Sequence, residues 1–370
     1  MAQLSLCMIV RDEEEKLAQC LESVRNAVDE IVIVDTGSAD RTKEIAAGFT
    51  DRIYDYVWRD DFAAARNASF AYARMPYILW LDADDMLEEE ECEKLIGLKA
   101  SLDGSVDAVM TPYRYAFAPD GRCTLVFDRE RIVRREAGFV FSGRVHEAMQ
   151  VSGRVIHADI SVRHTGSHGK ESCARNLAIY KTWINSGEAL APRDWYYYAR
   201  ELMNAGEFAA AQRMFADVVD GEGWIENRWD ACIRRGECLR RLGRLQEAKQ
   251  SCLTALALAP PRAEALCAMG SCLLEEDDPA SAIFWYRAAL MCAMPGKGGA
   301  FVSPDAYGYI PLMQLCVCYD RLGEHEQAAR MNEQALLLHP GDQAALHNRI
   351  YFERILKKTD DGKESSGREA

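Results

Sequence analysis

The chain has 370 residues with 58 acidic against 44 basic side chains, a formal net charge of -14, which argues against a polynucleotide partner because phosphate binding draws on clustered Lys and Arg. Its 49% hydrophobic and 28% charged content excludes a disordered or fibrous chain, and the length asks for two cores. The 13 cysteines are scattered through apolar helical stretches without CxxC pairs or a zinc-ligand spacing, so they read as reduced thiols.

The first apolar run, Leu4 to Val10, is too short to span a membrane, has no basic lead-in and passes straight into Arg11-Asp12-Glu13-Glu14-Glu15. It is predicted to be a strand and not a signal peptide, with the cytoplasm as the expected location. Further strands are predicted at Glu30 to Asp35, Arg52 to Val57 and Tyr77 to Asp82, separated by helical stretches near 13–27, 40–48 and 62–74. That alternation marks βα units around a mostly parallel sheet. From about Asp107 to His164 the pattern turns β-rich, with runs at Ala108 to Phe117, Thr124 to Arg134 and Arg154 to Arg163.

Beyond Glu171 the chain is helical and self-similar when the Gly before each second helix is aligned. Ala205-Gly206-Glu207-Phe208, Leu242-Gly243-Arg244-Leu245 and Leu322-Gly323-Glu324-His325 repeat one helix-turn-helix plan, each followed by a small residue, Ala211, Ala248 or Ala328. A degenerate unit has Gly270, then Asp277-Asp278-Pro279 at the turn, then Ala282 and Tyr286. The stretch from Asp194 to Pro340 resembles tetratricopeptide repeats, which bury by stacking what one unit cannot bury alone. The Gly- and Pro-rich insertion Pro295 to Pro304 is a candidate loop on their binding face, and the polar tail after Lys357 is expected to be disordered.

The chemistry begins at Leu81-Asp82-Ala83-Asp84-Asp85, which follows a buried-looking strand. Two carboxylates at i and i+2 on a strand's C-terminal end lie where open α/β sheets bind ligands, and oxygen donors there suit a hard divalent cation shared with substrate phosphates. The alternative is a carboxylate cluster capping a helix that begins near Glu88. Two neighbouring strand ends carry Val10-Arg11-Asp12-Glu13 and Val34-Asp35-Thr36-Gly37-Ser38-Ala39-Asp40, with Asp40 a plausible N-cap.

These three strand ends, over Leu4 to Asp85, resemble the nucleotide half of a family-2 glycosyltransferase of the GT-A fold. The resemblance implies that Asp35 and the loop from Val10 through Arg11 to Glu13 hold the uridine of a UDP-sugar, that Asp82 approaches the ribose or the metal, and that Asp84 ligates a divalent Mn²⁺ or Mg²⁺ ion. Asp61-Phe62 with Ala65-Arg66-Asn67 is similar to a family segment near the nucleotide, which makes Arg66 and Asn67 donor-site candidates; a capping Asp with a surface Arg is the bland alternative.

Phe141-Ser142-Gly143-Arg144-Val145-His146-Glu147 resembles the Arg-(Val/Ile)-His-Glu motif of bacterial members that glycosylate lipopolysaccharide core or peptides. Glu147 is therefore the candidate base for an inverting transfer, the alternative being a structural pair with Arg144 or Arg154. The residue three beyond Glu147 is Gln150, which removes a zincin reading. His164 resembles the histidine that completes many GT-A metal sites, although a lone His is often structural. Lys170, Arg175 and Asn176 could close over the diphosphate as cationic and polar donors, or cap a linker helix. No GxGxxG, GxxxxGK[ST] or GxSxG is present, so dehydrogenase, P-loop and hydrolase readings lose support.

The expected architecture is an α/β, Rossmann-like GT-A domain with a mixed sheet over 1–170, a helical linker over 171–193, an all-α tetratricopeptide-type domain over 194–356 and a tail over 357–370. The expected activity is a metal-dependent inverting transfer of a hexose from a UDP-sugar to a peptide, protein or glycan acceptor. A tetratricopeptide adaptor with a nucleotide-binding but inactive GT-A domain is the competing class. Neither a nucleic-acid partner nor a transmembrane segment is expected.

Overall fold

A computed structural model describes residues 1–118, 121–166, 170–295 and 301–366, with the side chains of Lys170 and of 358–366 outside the description. The chain divides into two compact units, residues 1–117 with 125–201 and residues 118–124 with 202–295 and 301–366. In the first unit β1 (Leu4–Val10), β2 (Glu30–Asp35), β3 (Ile53–Asp55) and β4 (Tyr77–Trp80) alternate with α1 (Leu17–Val24), α2 (Thr42–Ala47) and α3 (Phe62–Ala71).

The strands are parallel in the order β3-β2-β1-β4, with Val10 opposite Asp35 and Cys7 opposite Trp80. Strand β1 is apolar at six of its seven positions, Ser5 being the exception, and its side chains are buried on both faces except Ile9, which is half-buried; this is what a central parallel strand under two helical layers demands. Helix α1 docks through Leu17, Cys20, Leu21 and Val24, spaced 3, 4 and 7 along one face.

After β5 (Asp85–Met86) and α4 (Glu89–Ser101), the long strands β6 (Ala108–Phe117) and β7 (Cys123–Arg134) extend the sheet. Strand β7 lies antiparallel to β4, pairing Ile78 with Val133, so the sheet is mixed. The predicted strand Arg154 to Arg163 is two strands, β10 (Val155–His157) and β11 (Val162–His164), both parallel to β6. Between β7 and β10 the small hairpin β8 (Phe141–Ser142) and β9 (Ala148–Met149) pairs Phe141 with Met149 and carries residues 143–147 on its turn. Helix α5 (Lys170–Asn185) and the part of α6 (Pro192–Asn204) up to Glu201 belong to this first unit.

The second unit continues from the end of α6 through α7 (Phe208–Asp220), α8 (Ile225–Arg241), α9 (Leu245–Leu258), α10 (Ala263–Glu275), α11 (Pro279–Leu290), α12 (Tyr309–Arg321), α13 (His325–Leu338) and α14 (Gln343–Ser366). The turns inside four successive helix pairs hold Gly206, Gly243, Asp277 and Gly323 at φ of 81°, 72°, 59° and 76°. The degenerate unit thus keeps the left-handed turn with Asp, one of the few side chains that tolerates it. Gly270 is needed for packing: a Cβ there would sit 2.6 Å from the Tyr286 ring.

Helix α14 runs on through residues 357–366 of the predicted tail. The core of the insertion Pro295 to Pro304 lies outside the described residues. Among the described residues no helix is long and apolar enough to cross a membrane.

Candidate active site

The C-terminal ends of β1, β2 and β4 form the floor of the site. Asp35, 1% exposed, accepts from the backbone N–H groups of Gly37 and Ser38 through Oδ1, both at 3.0 Å. Its Oδ2 is buried without a hydrogen-bond partner, a costly state that a ligand donor would relieve. The Val10 carbonyl is already engaged by the Thr36 N–H and hydroxyl.

The loop after β1 is stitched to the loop after β2. Asp12, at φ 53°, donates its N–H to Ser38 and accepts from Ala39, while Glu13 and Glu14 donate to Thr42 and Asp40. Asp40 stands one residue before the N-cap of α2 and accepts the Thr42 N–H at 2.9 Å. Arg11 stays half-exposed beside Asp12. Glu13 is pushed up to about 7 by burial and by the nearby charges of Asp84 and Asp82, which places its carboxyl toward the acidic strand end.

At that strand end the two aspartates part. Asp84 Oδ1 lies 3.5 Å from His164 Nδ1, while a Cβ on Gly166 would collide with Asp84 Oδ2 and stand 2.8 Å from His164 Nε2. A carboxylate oxygen and an imidazole nitrogen therefore border one small space that only glycine leaves open. On its other side the ring is held through Nδ1, 3.1 Å from the Tyr113 hydroxyl and 3.6 Å from Asp85 Oδ1, the arrangement in which a carboxylate behind a ligating histidine fixes the ring.

Asp84, Asp85 and His164 form the cluster whose donor atoms lie within 4.8 Å of one another. Asp85 is the anchor among them, since its oxygens already serve Tyr113, Arg131 and the Asp82 N–H at 2.8, 2.9 and 3.0 Å. Burial lowers the proton affinity of His164, but hydrogen bonds to Asp84 and Asp85 outweigh it and raise the group to about 9. The donor set fits a divalent cation.

Asp82, expected near the ribose or the metal, pairs with Arg66. Arg66, 6% exposed, donates from Nη2 to Asp82 Oδ1 and from Nε to Glu147 Oε1, both at 2.5 Å. Burial acts to raise Asp82, yet the Arg66 and Arg131 charges hold it down at about 2. Arg66 is thus a buried bridge and not a surface residue, and Glu147 pairs with it instead of with Arg144, which binds Glu188, or Arg154, which binds near Asp107. Asp61 caps α3 through the Ala64 N–H, fixing the helix that presents Arg66.

Asn67 exchanges two hydrogen bonds with the Phe141 backbone. Its amide holds β8, the strand before the Glu147 turn. The Lys170 side chain lies outside the described residues. Arg175, five residues on, is lowered by burial and senses Glu201, Arg11, Glu13 and Glu147, so it borders the same site.

Sequence reasoning missed Arg129, Arg131, Trp80 and Tyr113. Three guanidinium groups, of Arg66, Arg129 and Arg131, lie 4.7, 4.8 and 4.1 Å from the Trp80 ring. The available signal was Arg131 next to Ile132 and Val133 in a strand: a charge amid core residues requires a buried partner, here Asp85. Tyr113 gave no such signal.

A model of glycosyl transferase family 2 matches residues 5–145, and a tetratricopeptide repeat model matches residues 229–262. A TPR repeat-containing protein of Synechococcus elongatus is 50% identical over 103 residues, covering 28% of this chain and 25% of that protein. The SPbeta prophage-derived glycosyltransferase SunS of Bacillus subtilis is 28% identical over 207 residues, covering 53% of this chain and 48% of SunS. The lipopolysaccharide core biosynthesis glycosyltransferase LpsC of Rhizobium meliloti is 31% identical over 167 residues, covering 42% and 60%. The chain spans at most 60% of the length of these relatives.

Proposed function

From a chain that carries a family-2 glycosyltransferase domain at its N-terminus and a tetratricopeptide repeat toward its C-terminus, we propose a metal-dependent glycosyltransferase that moves a hexose from a UDP-sugar with inversion. The observation that carries the reading is the pair of ligand-seeking features on one strand-end surface: the unpartnered Asp35 Oδ2 and the space beside Gly166 bordered by Asp84 and His164. A buried acceptor oxygen suits the imide N–H of uracil, and a carboxylate with an imidazole would suit a divalent cation such as Mn²⁺.

In an inverting step the acceptor oxygen or sulfur attacks the anomeric carbon as the bond to the diphosphate breaks, the electron pair leaving with UDP. A divalent cation, when bound, would supply charge neutralisation on that leaving group. Asp84 and His164 would hold the cation, with Asp85 and Tyr113 fixing the imidazole, Asp35 would orient the base of the nucleotide, and Arg175 would offer a donor toward the diphosphate. The acceptor's proton passes to the β8–β9 turn, where the family resemblance assigns the base to Glu147. The repeats supply the recognition surface for a peptide or protein acceptor, in keeping with a relative named as a TPR repeat-containing protein.

A thermal-shift panel of nucleotide sugars, each with and without Mn²⁺, tests the reading. A UDP-sugar that stabilises the protein only when Mn²⁺ is present, and is then hydrolysed or transferred, supports it. Indifference to every UDP-sugar in both conditions sinks it.

A further inference from the structure

Beside Glu147 stands a second ionisable pair. His146 has a φ of 52°, a left-handed backbone that a non-glycine residue keeps only where its surroundings enforce it. Its Nε2 lies 2.7 Å from Glu201 Oε1, its ring stacks on Tyr197 with centroids 4.3 Å apart, and its carbonyl accepts from Arg193 Nε. Glu201, 3% exposed, also accepts from Asn176 Nδ2 at 2.9 Å. Burial acts to raise Glu201, but hydrogen bonds from His146 and Asn176 outweigh it and hold it below the ordinary carboxylate range.

An ionised carboxylate only accepts hydrogen bonds, so Nε2 carries the ring proton and a neutral ring presents Nδ1 as its basic nitrogen. No group among the described residues engages Nδ1. This is the orienting logic of a carboxylate behind a histidine base. The pair also stands beside the strand end: Glu147, next in the chain, accepts from Arg66 Nε, and Nη2 of the same guanidinium donates to Asp82. Two differences separate His146 from its neighbour. Its side chain is 29% exposed against 9% for Glu147, and Glu147 Oε1 is occupied by Arg66.

We propose that His146, oriented by Glu201, is the immediate proton acceptor of the transfer step. As the acceptor group attacks the anomeric carbon, its proton moves to Nδ1, the C–O bond to the diphosphate breaks with its electron pair going to UDP, and Glu201 balances the imidazolium. Glu147 then serves to hold Arg66 beside Asp82. The charged and titratable groups facing His146 are Glu201 at Nε2, Tyr197 against the ring, Arg193 at its carbonyl and the nearby Asp194 from α6, with Glu147 on its own turn and Arg129 of β7 donating to the Glu147 carbonyl.

This rests on the glycosyltransferase reading, and the test separates the two. Hydrolysis of UDP-glucose, UDP-galactose and UDP-N-acetylglucosamine with Mn²⁺ uses water as the acceptor. His146→Gln should lose about 100-fold or more in rate, while calorimetry gives Mn²⁺-dependent UDP binding within about 2-fold of wild type. Glu201→Gln should bind UDP equally and turn over more slowly.

His146→Gln keeping its rate within a few fold overturns the proposal alone. Wild-type protein that hydrolyses none of these donors fails the underlying reading and the proposal with it. If His146→Gln does not fold, side-chain ¹H–¹⁵N spectra of wild-type protein decide: protonated Nε2 with bare Nδ1 is expected, and the opposite tautomer overturns the assignment.

Discussion

Around Asp35 the site is made of backbone. Gly37, Ser38, Ala39 and Thr42 turn their N–H groups onto carboxylates of two adjacent loops, and the geometry follows from local sequence. Around Glu147 it is made of charge. Arg66 spans 16 residues to Asp82 and 81 to Glu147, and Arg131 closes on Asp85 under the Trp80 ring. The first region is rigid because its turns are satisfied, the second because its ions have nowhere else to go. In the first a single ligand-seeking oxygen stands open among satisfied turns, whereas in the second every partner removed leaves a buried charge.

The sharpest way to test that contrast is to remove one residue from each side. Asp84→Ala deletes the carboxylate that borders the space beside Gly166 and should lower Mn²⁺-dependent UDP-sugar turnover by about 10³-fold, with the thermal midpoint of the metal-free protein nearly unchanged. Turnover at the wild-type level would remove Asp84 from the metal site, whereas unchanged cellular function would favour an inactive domain serving as an adaptor. Arg66→Ala should do the reverse, destabilising the fold by about 3–5 kcal/mol because Asp82 and Glu147 would face each other unpaired; urea denaturation measures it. Arg66→Lys should recover only part of the loss, since one ammonium cannot reproduce the two-directional fork. A loss below about 1 kcal/mol would show that the bridge is solvated.

Asp35→Asn is gentler. Its remaining Oδ1 can still accept from Gly37 and Ser38, so stability should hold. Exchanging the unpartnered oxygen for an amide should weaken UDP binding by about 1–3 kcal/mol, read by calorimetry against UDP and GDP.

The last test concerns pH. Glu13 is raised to about 7 from an ordinary 4.5, so the folded protein holds more protons in that window and loses this contribution as pH climbs through it. His164, raised to about 9 from 6.5, contributes fully below pH 6.5 and loses its contribution toward pH 9. Stability of the metal-free protein should therefore fall in two steps between about pH 4.5 and 9, the first absent in Glu13→Gln and the second in His164→Gln. A single step unchanged in both variants would contradict these shifts.

The same contrast explains what was legible in the sequence. The strands β1 and β2 match their predicted limits residue for residue, because an apolar run ended by Asp or Glu loops is a local signal. Asp35, Asp84, His164 and Glu147 stood in recognisable strings of neighbours. What could not be read was pairing across long separations. Nothing in Asp82-Ala83-Asp84 tells which carboxylate turns to Arg66 and which to His164, and the anchoring of Asp85 by Tyr113 joins residues 28 apart. Asn67 looked like part of a nucleotide motif for the same reason: its true partner, the Phe141 backbone, lies 74 residues on.

The account turns on Asp35 and Asp84 serving one ligand. Calorimetric titration of UDP into wild-type protein, Asp35→Asn and Asp84→Asn, each with and without Mn²⁺, measures this directly. The prediction is Mn²⁺-dependent binding in the wild type, weakened by Asp35→Asn in both conditions, with the Mn²⁺ dependence abolished by Asp84→Asn. Equal UDP affinity in all three proteins, unaffected by the metal, would contradict it.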